Sequence, residues 1–164
     1  MDSLPAIENV VRMIFPLTMI REGELLPAAF KLREQEDGAE KFLSVFRQYH
    51  EKFCYDIIDF DKQRNLPCCI MNVGEVNTVE LTIANNAVKY VVNAVPTPTY
   101  ASHAGIFVSI GGIPLEGKGT VAFETLRIGE EANYHLIAIR RRLVEIAKRR
   151  MTSTSQLLDF GKSR

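Results

Sequence analysis

Three side chains that could do acid–base chemistry occur together in one predicted loop. Tyr100, Ser102 and His103 lie between Pro98 and Gly105, directly before a predicted strand, and loops at strand ends often carry reactive groups. His103 is the candidate general acid or base, because histidine is the side chain that changes charge between about pH 5 and 8. Ser102 and His103 point to opposite sides of an extended chain, so they do not form a nucleophile and base pair. The sequence therefore favours a histidine bonded to a nearby carbonyl over a catalytic one.

The last predicted helix carries a group of cations that could bind phosphates. Six basic residues fall within eleven positions, with Glu145 as the one acid among them: Arg140, Arg141, Arg142, Lys148, Arg149 and Arg150. One interpretation is contact with the phosphates of RNA or DNA. The other is pairing with acidic side chains of the same or another protein. The sequence favours the second, because it contains no nucleic-acid-binding motif and no tryptophan.

A glycine-rich loop supplies one more candidate binding residue. Lys118 stands between Gly117 and Gly119, in a segment that superficially looks like a phosphate-binding loop. A P-loop needs Ser or Thr directly after the lysine, whereas Gly119 is found there, and Pro114 removes one backbone N–H. A connecting loop is therefore the favoured interpretation.

Two acidic residues and two cysteines are weaker candidates for a functional role. Asp56 and Asp59 are three residues apart on a predicted helix and could share a cation, but the spacing of a zinc finger, a zincin or an EF-hand is absent. We expect ordinary surface pairs, and neither a metal nor another cofactor. Cys68 and Cys69 are adjacent in a predicted strand, so one is expected to be buried while the other can be exposed.

The composition limits the classes of protein to which the chain can belong. The chain has 164 residues, 46% of them hydrophobic and 24% charged, as in an average globular domain. Twenty basic residues balance twenty acidic ones, which argues against a general polyanion binder. The charge is nevertheless uneven, because residues 127–164 carry nine basic and four acidic side chains while residues 1–126 carry eleven and sixteen.

The sequence also predicts where the protein works. No run approaches the roughly 18 apolar residues that span a bilayer, and Met1 to Pro5 has neither the basic nor the apolar region of a secretory leader. Three cysteines, an odd number, do not indicate a disulfide framework. These features predict a cytoplasmic protein without membrane contact.

Two helices and one hairpin can be predicted from apolar spacing. Phe53, Ile57 and Phe60 recur at helical spacing and predict a helix over 49–64. From Ala132 to Ile146, apolar residues recur at intervals of 4, 3, 4 and 3 and predict a helix over 130–150. Two β-branched runs joined at Asn85-Asn86 predict a hairpin over 78–95. The segments 6–20, 41–47 and 120–128 fit a strand as well as a helix.

Together these elements predict an α+β fold. Residues 1–150 form one domain, with a mostly antiparallel sheet over about 67–128 that is packed by the 49–64 and 130–150 helices. Residues 151–164 are predicted to be a partly ordered tail. The apolar stripe of the long helix must cover the sheet or a second copy of the chain, which raises the hypothesis of a homodimer.

Three hypotheses about function follow. The first is a non-enzymatic binding or regulatory module that contacts a partner protein, or itself, through the basic helix. The second is an enzyme that acts on a nucleotide or nucleic acid, with His103 as acid or base and Tyr100, Ser102 and Lys118 around the substrate. The third is a nucleic-acid-binding accessory protein that uses the six cations of the helix. The sequence favours the first, because each candidate catalytic group also has a structural explanation.

Overall fold

Residues 2–35, 38–117, 119–129 and 132–162 are described by the computed structural model of the chain. The strands are β1 (Asn9–Met13), β2 (Ile20–Arg21), β3 (Glu24–Leu25), β4 (Glu34–Gln35), β5 (Gly38–Ala39), β6 (Leu43–Arg47), β7 (Pro67–Asn72), β8 (Leu81–Ile83), β9 (Asn86–Ala94), β10 (His103–Ile110), β11 (Ile113–Pro114) and β12 (Met151–Ser153). The α-helices are α1 (Pro16–Met19), α2 (Phe53–Phe60), α3 (Val73–Asn77), α4 (Thr120–Thr125), α5 (Ala132–Ala147) and α6 (Thr154–Lys162). Short 3₁₀ helices span Pro27–Phe30 and Lys148–Arg150.

One antiparallel sheet organises these elements. Its order in the described chain is β12-β7-β1-β6-β10-β9-β8, with β11 paired to β10. The fold is α+β, as the sequence predicts. The sheet extends beyond the predicted range of 67–128, because β1 and β6 form its centre. All five residues of β1 are buried, so this strand lacks the alternation of polar and apolar residues that identifies a half-exposed strand.

The two faces of the sheet support two separate cores. Val10 on β1 belongs to the larger core, which also contains Leu136, Ile139 and Leu143 of α5. Its neighbour Val11 belongs to the smaller core. Because adjacent side chains of a strand point to opposite faces, α5 covers one face of the sheet. The smaller core includes residues of α2 and α6, which cover the other: Phe53, Ile57 and Leu158.

The two predicted helices are present with shorter bounds. Helix α5 buries four residues of the predicted stripe: Leu136, Ile139, Leu143 and Ile146. The helix continues as the 3₁₀ turn Lys148–Arg150. Glu130 and Glu131, at the predicted start, lie outside the described residues. In α2, Phe53 and Ile57 are buried as predicted, whereas Phe60 is 37% exposed. Phe60 is at the end of the helix, where it lines the cavity described below.

The predicted hairpin over 78–95 is confirmed, with its turn one residue earlier than expected. Ile83 pairs with Asn86, so the two-residue turn is Ala84-Asn85, with φ values of 49° and 64°. Positive φ at both central positions is the geometry of a type I′ turn, which matches the twist of the flanking strands. Asn86 donates to the Ala84 carbonyl at 2.9 Å and holds the turn.

The segment predicted to be a partly ordered tail forms a strand and a helix in its described part. Strand β12 pairs with β7 at the edge of the sheet, and α6 places Leu158 in the smaller core. Thr154 is fully buried, and its hydroxyl donates to Asp61 at 2.6 Å. These contacts attach residues 151–162 to the sheet and to the end of α2.

The cysteines differ from the prediction in one respect. Cys68 and Cys69 point into different cores, as neighbours in a strand must, but both are fully buried. The cause is the position of β7 between β1 and β12, with packed side chains on both faces. Burial raises the pKa of each thiol to about 12. Both are therefore uncharged thiols at neutral pH.

No helix in the described ranges combines the length and the apolar character that crossing a membrane requires.

Candidate functional site

The site arises where the two central strands separate. Strand β1 pairs with β6 at Val10↔Arg47 and Val11↔Phe46, while its pairing with β7 continues to Met13. A cavity of about 320 Å³ opens beyond the last β1–β6 pair. We call it the Arg12 cavity, and it is lined by Arg12, Met13, Phe15, Met19, Arg33, Glu40, Ser44, Phe46, Phe60, Tyr100 and His103.

Arg12 bridges the opening between the strands. Its Nε donates to the Ala29 carbonyl at 2.7 Å, and its Nη1 donates to the Ser44 carbonyl at 2.8 Å. The guanidinium also lies 5.6 Å from the ring centroid of Phe30, within the range of a cation–π contact. The residue is 9% exposed. The sequence offers one signal of this role, since Arg12 is the one charged residue in the apolar run from Val10 to Ile14.

The electrostatic setting of Arg12 is that of a buried charge. Burial lowers the pKa of Arg12 to about 10, although the nearby Glu40 carboxylate acts to raise it. At neutral pH the guanidinium is still a cation. Glu40 is itself held at the rim, where its Oε1 accepts the Arg33 backbone N–H at 2.6 Å. Arg33 is exposed, so Arg12 is the deeply placed cation of the lining.

Aromatic rings form one wall of the cavity. The ring centroid of Phe46 lies 5.4 Å from that of Phe60 and 5.5 Å from that of Tyr100, in edge-to-face geometry. Phe60 and Tyr100 are 6.1 Å apart, and Phe15 lies 6.5 Å from Phe60 on the outer side. Edge-to-face packing at these distances is favourable. The rings of the wall therefore support one another.

His103 lies at the start of β10 and lines the same cavity. Its Nδ1 is 2.9 Å from the Val95 carbonyl, and because a carbonyl only accepts, Nδ1 carries the proton of this bond. The sequence predicts a bond of this kind. The other ring nitrogen, Nε2, is the one that a ligand can use. The ring packs edge-on against Phe42 at 5.8 Å and Phe46 at 6.0 Å.

Gly105 makes room for this arrangement. It pairs with Ser44 across the β10–β6 ladder, and a Cβ built at Gly105 would come within 2.6 Å of the Phe42 ring. The ring of Phe42 therefore lies directly against the backbone of Gly105, beside His103.

The other two residues predicted around His103 have structural partners. The Tyr100 hydroxyl donates to Asp59 Oδ2 at 3.0 Å, and burial together with the Asp59 carboxylate raises the pKa of this phenol. Tyr100 thus presents its ring to the cavity. Ser102 is fully buried and does not line the cavity. Its backbone N–H and hydroxyl donate to Asp56 Oδ2 at 2.9 and 2.6 Å. Asp56 and Asp59, for which the sequence predicts surface pairs, thereby fasten the loop onto α2.

The six predicted helix cations do not form one uniform surface. Arg140 is half-buried, and burial lowers its pKa. Arg149 forms an ion pair with Glu75 at 2.6 Å, and Arg142 lies 3.8 Å from Glu145. All of the six except Arg140 are exposed, and three of them form no ion pair with the described residues: Arg141, Lys148 and Arg150. Lys118, the seventh predicted binding residue, lies outside the described residues.

Two other features of the described residues help to define the site. The described residues contain no group of three or more His, Cys, Asp or Glu side chains placed to hold a metal ion. A wider depression of about 670 Å³ runs beside β8 and β9, but its own lining includes no buried charged residue. The Arg12 cavity is therefore the candidate site with a buried cation.

No protein-family profile matches this sequence, and no curated protein or solved structure shows significant similarity to it.

Proposed function

We propose that the protein is a non-enzymatic binding module and that the Arg12 cavity is its ligand site. The observation that carries the proposal is a buried guanidinium at the base of a preformed, aromatic-walled cavity. Ligand sites are commonly concave and mostly apolar, with a few fixed polar groups, and range from about 300 to 1,000 Å³. The cavity has this character and lies at the small end of the range. A small ligand is therefore the favoured occupant.

A cavity-filling substitution tests the proposal. Ser44 lines the cavity from an exposed strand position, so Ser44→Trp places an indole in the cavity with little change to the cores. Thr82→Trp is the matched control, because Thr82 is exposed on β8, away from the cavity. We expect a mixture of small aromatic acids, amides and alcohols to give saturation-transfer NMR signals with the wild type and Thr82→Trp. Ser44→Trp should give none.

Two outcomes would count against a binding module. Equal signals from all three proteins would place fragment binding outside the cavity. An absence of signal from the wild type would remove the proposed function altogether. Native mass spectrometry of gently purified protein adds an independent readout, since an added mass on the wild type that is missing from Ser44→Trp supports the proposal.

An enzyme that uses His103 is the second candidate. It is favoured by the position of His103 in the same cavity, with Nδ1 held by Val95 and Nε2 left for acid–base chemistry. Against it, Ser102 is enclosed by Asp56 and Tyr100 is bonded to Asp59, so neither is a ready nucleophile. Incubation of the protein with its retained ligand separates the candidates: a binding module leaves the ligand chemically unchanged, whereas an enzyme converts it and loses this turnover in His103→Ala.

The basic helix supports a further part of the proposal, contact with a protein partner or a second copy of the chain. Arg141, Lys148 and Arg150 are exposed, and none forms an ion pair within the described part of the chain. A cytoplasmic setting is part of the same proposal, supported by three cysteines that are all free thiols.

A further inference from the structure

We infer that the Arg12 cavity takes a small aromatic carboxylate, with the carboxylate on the Arg12 guanidinium and the ring against Phe46, Phe60 and Tyr100. This inference rests on the proposed function and adds the chemical class of the ligand.

Arg12 has hydrogen-bond donors that the protein does not use. A guanidinium has five N–H donors, and the Ala29 and Ser44 carbonyls take two of them. Three donors remain, one on Nη1 and two on Nη2. Arg12 forms no ion pair with the described residues. The Glu40 carboxylate in the same lining acts on Arg12 without forming such a pair, so the buried charge is compensated only in part, which is unfavourable. An anion that enters the cavity supplies the missing charge.

The surroundings of Arg12 favour a planar anion with a single negative charge. The two backbone carbonyls hold the guanidinium in place, so little ordering is required when a ligand binds. A planar carboxylate can accept two parallel N–H bonds from a guanidinium. A phosphate monoester brings up to two negative charges, and the Glu40 carboxylate in the lining repels the second. A single negative charge therefore suits the cavity better.

The aromatic wall of the cavity favours an aromatic group as the remainder of the ligand. Phe46, Phe60 and Tyr100 present ring surfaces to the cavity, and the Tyr100 hydroxyl is occupied by Asp59. This wall favours a flat apolar group over a sugar or an extended polar chain. The volume of about 320 Å³ limits the ligand to a small molecule.

The test compares three probes that share a ring and differ in the head group. We expect phenylacetate to bind the wild type at least tenfold more tightly than phenylacetamide, the uncharged analogue, and more tightly than phenyl phosphate, in isothermal titration calorimetry. Chemical-shift changes on phenylacetate binding should include the amides of Arg12, Ser44 and His103. These measurements need no variant, so they stand even where a substitution at Arg12 prevents folding.

Variants then locate the head group. Arg12→Gln should weaken phenylacetate binding at least tenfold and phenylacetamide binding by a smaller factor, because the amide oxygen accepts an N–H bond but carries no charge. Arg12→Lys should fall between the wild type and Arg12→Gln. Arg141→Gln is the matched control, because Arg141 is an exposed arginine outside the lining of the cavity, and we expect a change of less than threefold.

The outcomes separate the two proposals. Equal binding of phenylacetamide and phenylacetate, both lost in Ser44→Trp, would overturn the carboxylate inference while the ligand site stands. Tighter binding of phenyl phosphate would also overturn it, in favour of a phosphate ligand. Failure of all three probes to bind the wild type, together with an unaltered response of Ser44→Trp to the fragment mixture, would overturn both.

Discussion

Two buried carboxylates join segments that lie far apart in the sequence. Asp56 anchors the loop of Ser102, 46 residues away. Asp61 accepts from Thr154, 93 residues away, and from the backbone N–H of Leu66 at 2.9 Å. Burial alone raises the pKa of Asp61, but the donated hydrogen bonds outweigh it and hold the pKa below its ordinary value.

The lowered pKa of Asp61 gives a pH-dependent contribution to stability. A carboxylate whose pKa is lower in the folded state stabilises the fold above the unfolded pKa of about 3.9, and this contribution disappears as the pH falls through the folded pKa. We expect Asp61→Asn to lower the free energy of unfolding by about 1–3 kcal/mol at pH 7. The difference from the wild type should shrink below about pH 4.

Urea unfolding followed by circular dichroism at pH 7 and pH 3 measures this difference. The exposed Glu51→Gln serves as the control for loss of one charge. A difference that stays the same at both pH values would show that the Asp61 charge makes no contribution.

Long-range partners also explain which site residues the sequence can reveal. The sequence can propose His103 as a candidate, because its residue type and its place in a loop are local properties. The role of Arg12 was not, because it depends on carbonyls 17 and 32 residues away. The enclosure of Ser102 likewise requires the carboxylate of Asp56. The residue types suggest chemistry, and the fold decides which of them reach a common cavity.

At the level of elements, local periodicity predicts the helices and strands that have one buried and one exposed face. Helix α5 and the β8–β9 hairpin each have a buried and an exposed side, so their patterns are readable. Strands β1 and β6 are flanked by other strands on both edges, and β1 is buried on both faces. Their apolar runs therefore fit either structure. The central strands therefore cannot be predicted from the local sequence pattern.

Helix α6 allows a direct test of an element that the sequence predicts to be loosely held. Leu158 is 5% exposed in the smaller core, so Leu158→Ala should lower the free energy of unfolding by about 2–5 kcal/mol. Gln156→Ala is the control on the exposed side of the same helix. Chemical denaturation measures both variants. A cost for Leu158→Ala as small as that of the control would mean that α6 is not docked in solution.

For the whole molecule, the uneven distribution of charge predicts how two copies of the chain associate. Residues 127–164 carry the excess of basic side chains and residues 1–126 the excess of acidic ones. We expect the basic helix of one copy to attract the acidic part of another at low salt. Such an association weakens as ionic strength shortens the range of the interaction to about 8 Å at 0.15 M salt.

Sedimentation velocity at 50 mM and 500 mM salt tests this expectation. We predict a dimer at low salt that dissociates at high salt, and a shift to monomer at low salt in Arg141→Glu/Lys148→Glu. Both side chains are exposed, so the double variant should keep the wild-type fold. A protein that is monomeric at both salt concentrations would contradict self-association through this helix. Binding of a single-stranded oligonucleotide by the wild type alone would instead favour the nucleic-acid hypothesis.

The separation of β1 from β6 at the cavity also affects how fast a ligand can enter and leave. Arg12 belongs to a strand that is hydrogen-bonded to β7 along its whole length, so the base of the cavity can move only when the centre of the sheet opens, which is a rare event in a folded domain. Entry and departure of a ligand must therefore take place at the exposed side of the lining, which includes Phe15, Phe60, Arg33 and Ser44. Residence time then depends on the side chains at this exposed side, while the contacts of Arg12 determine selectivity.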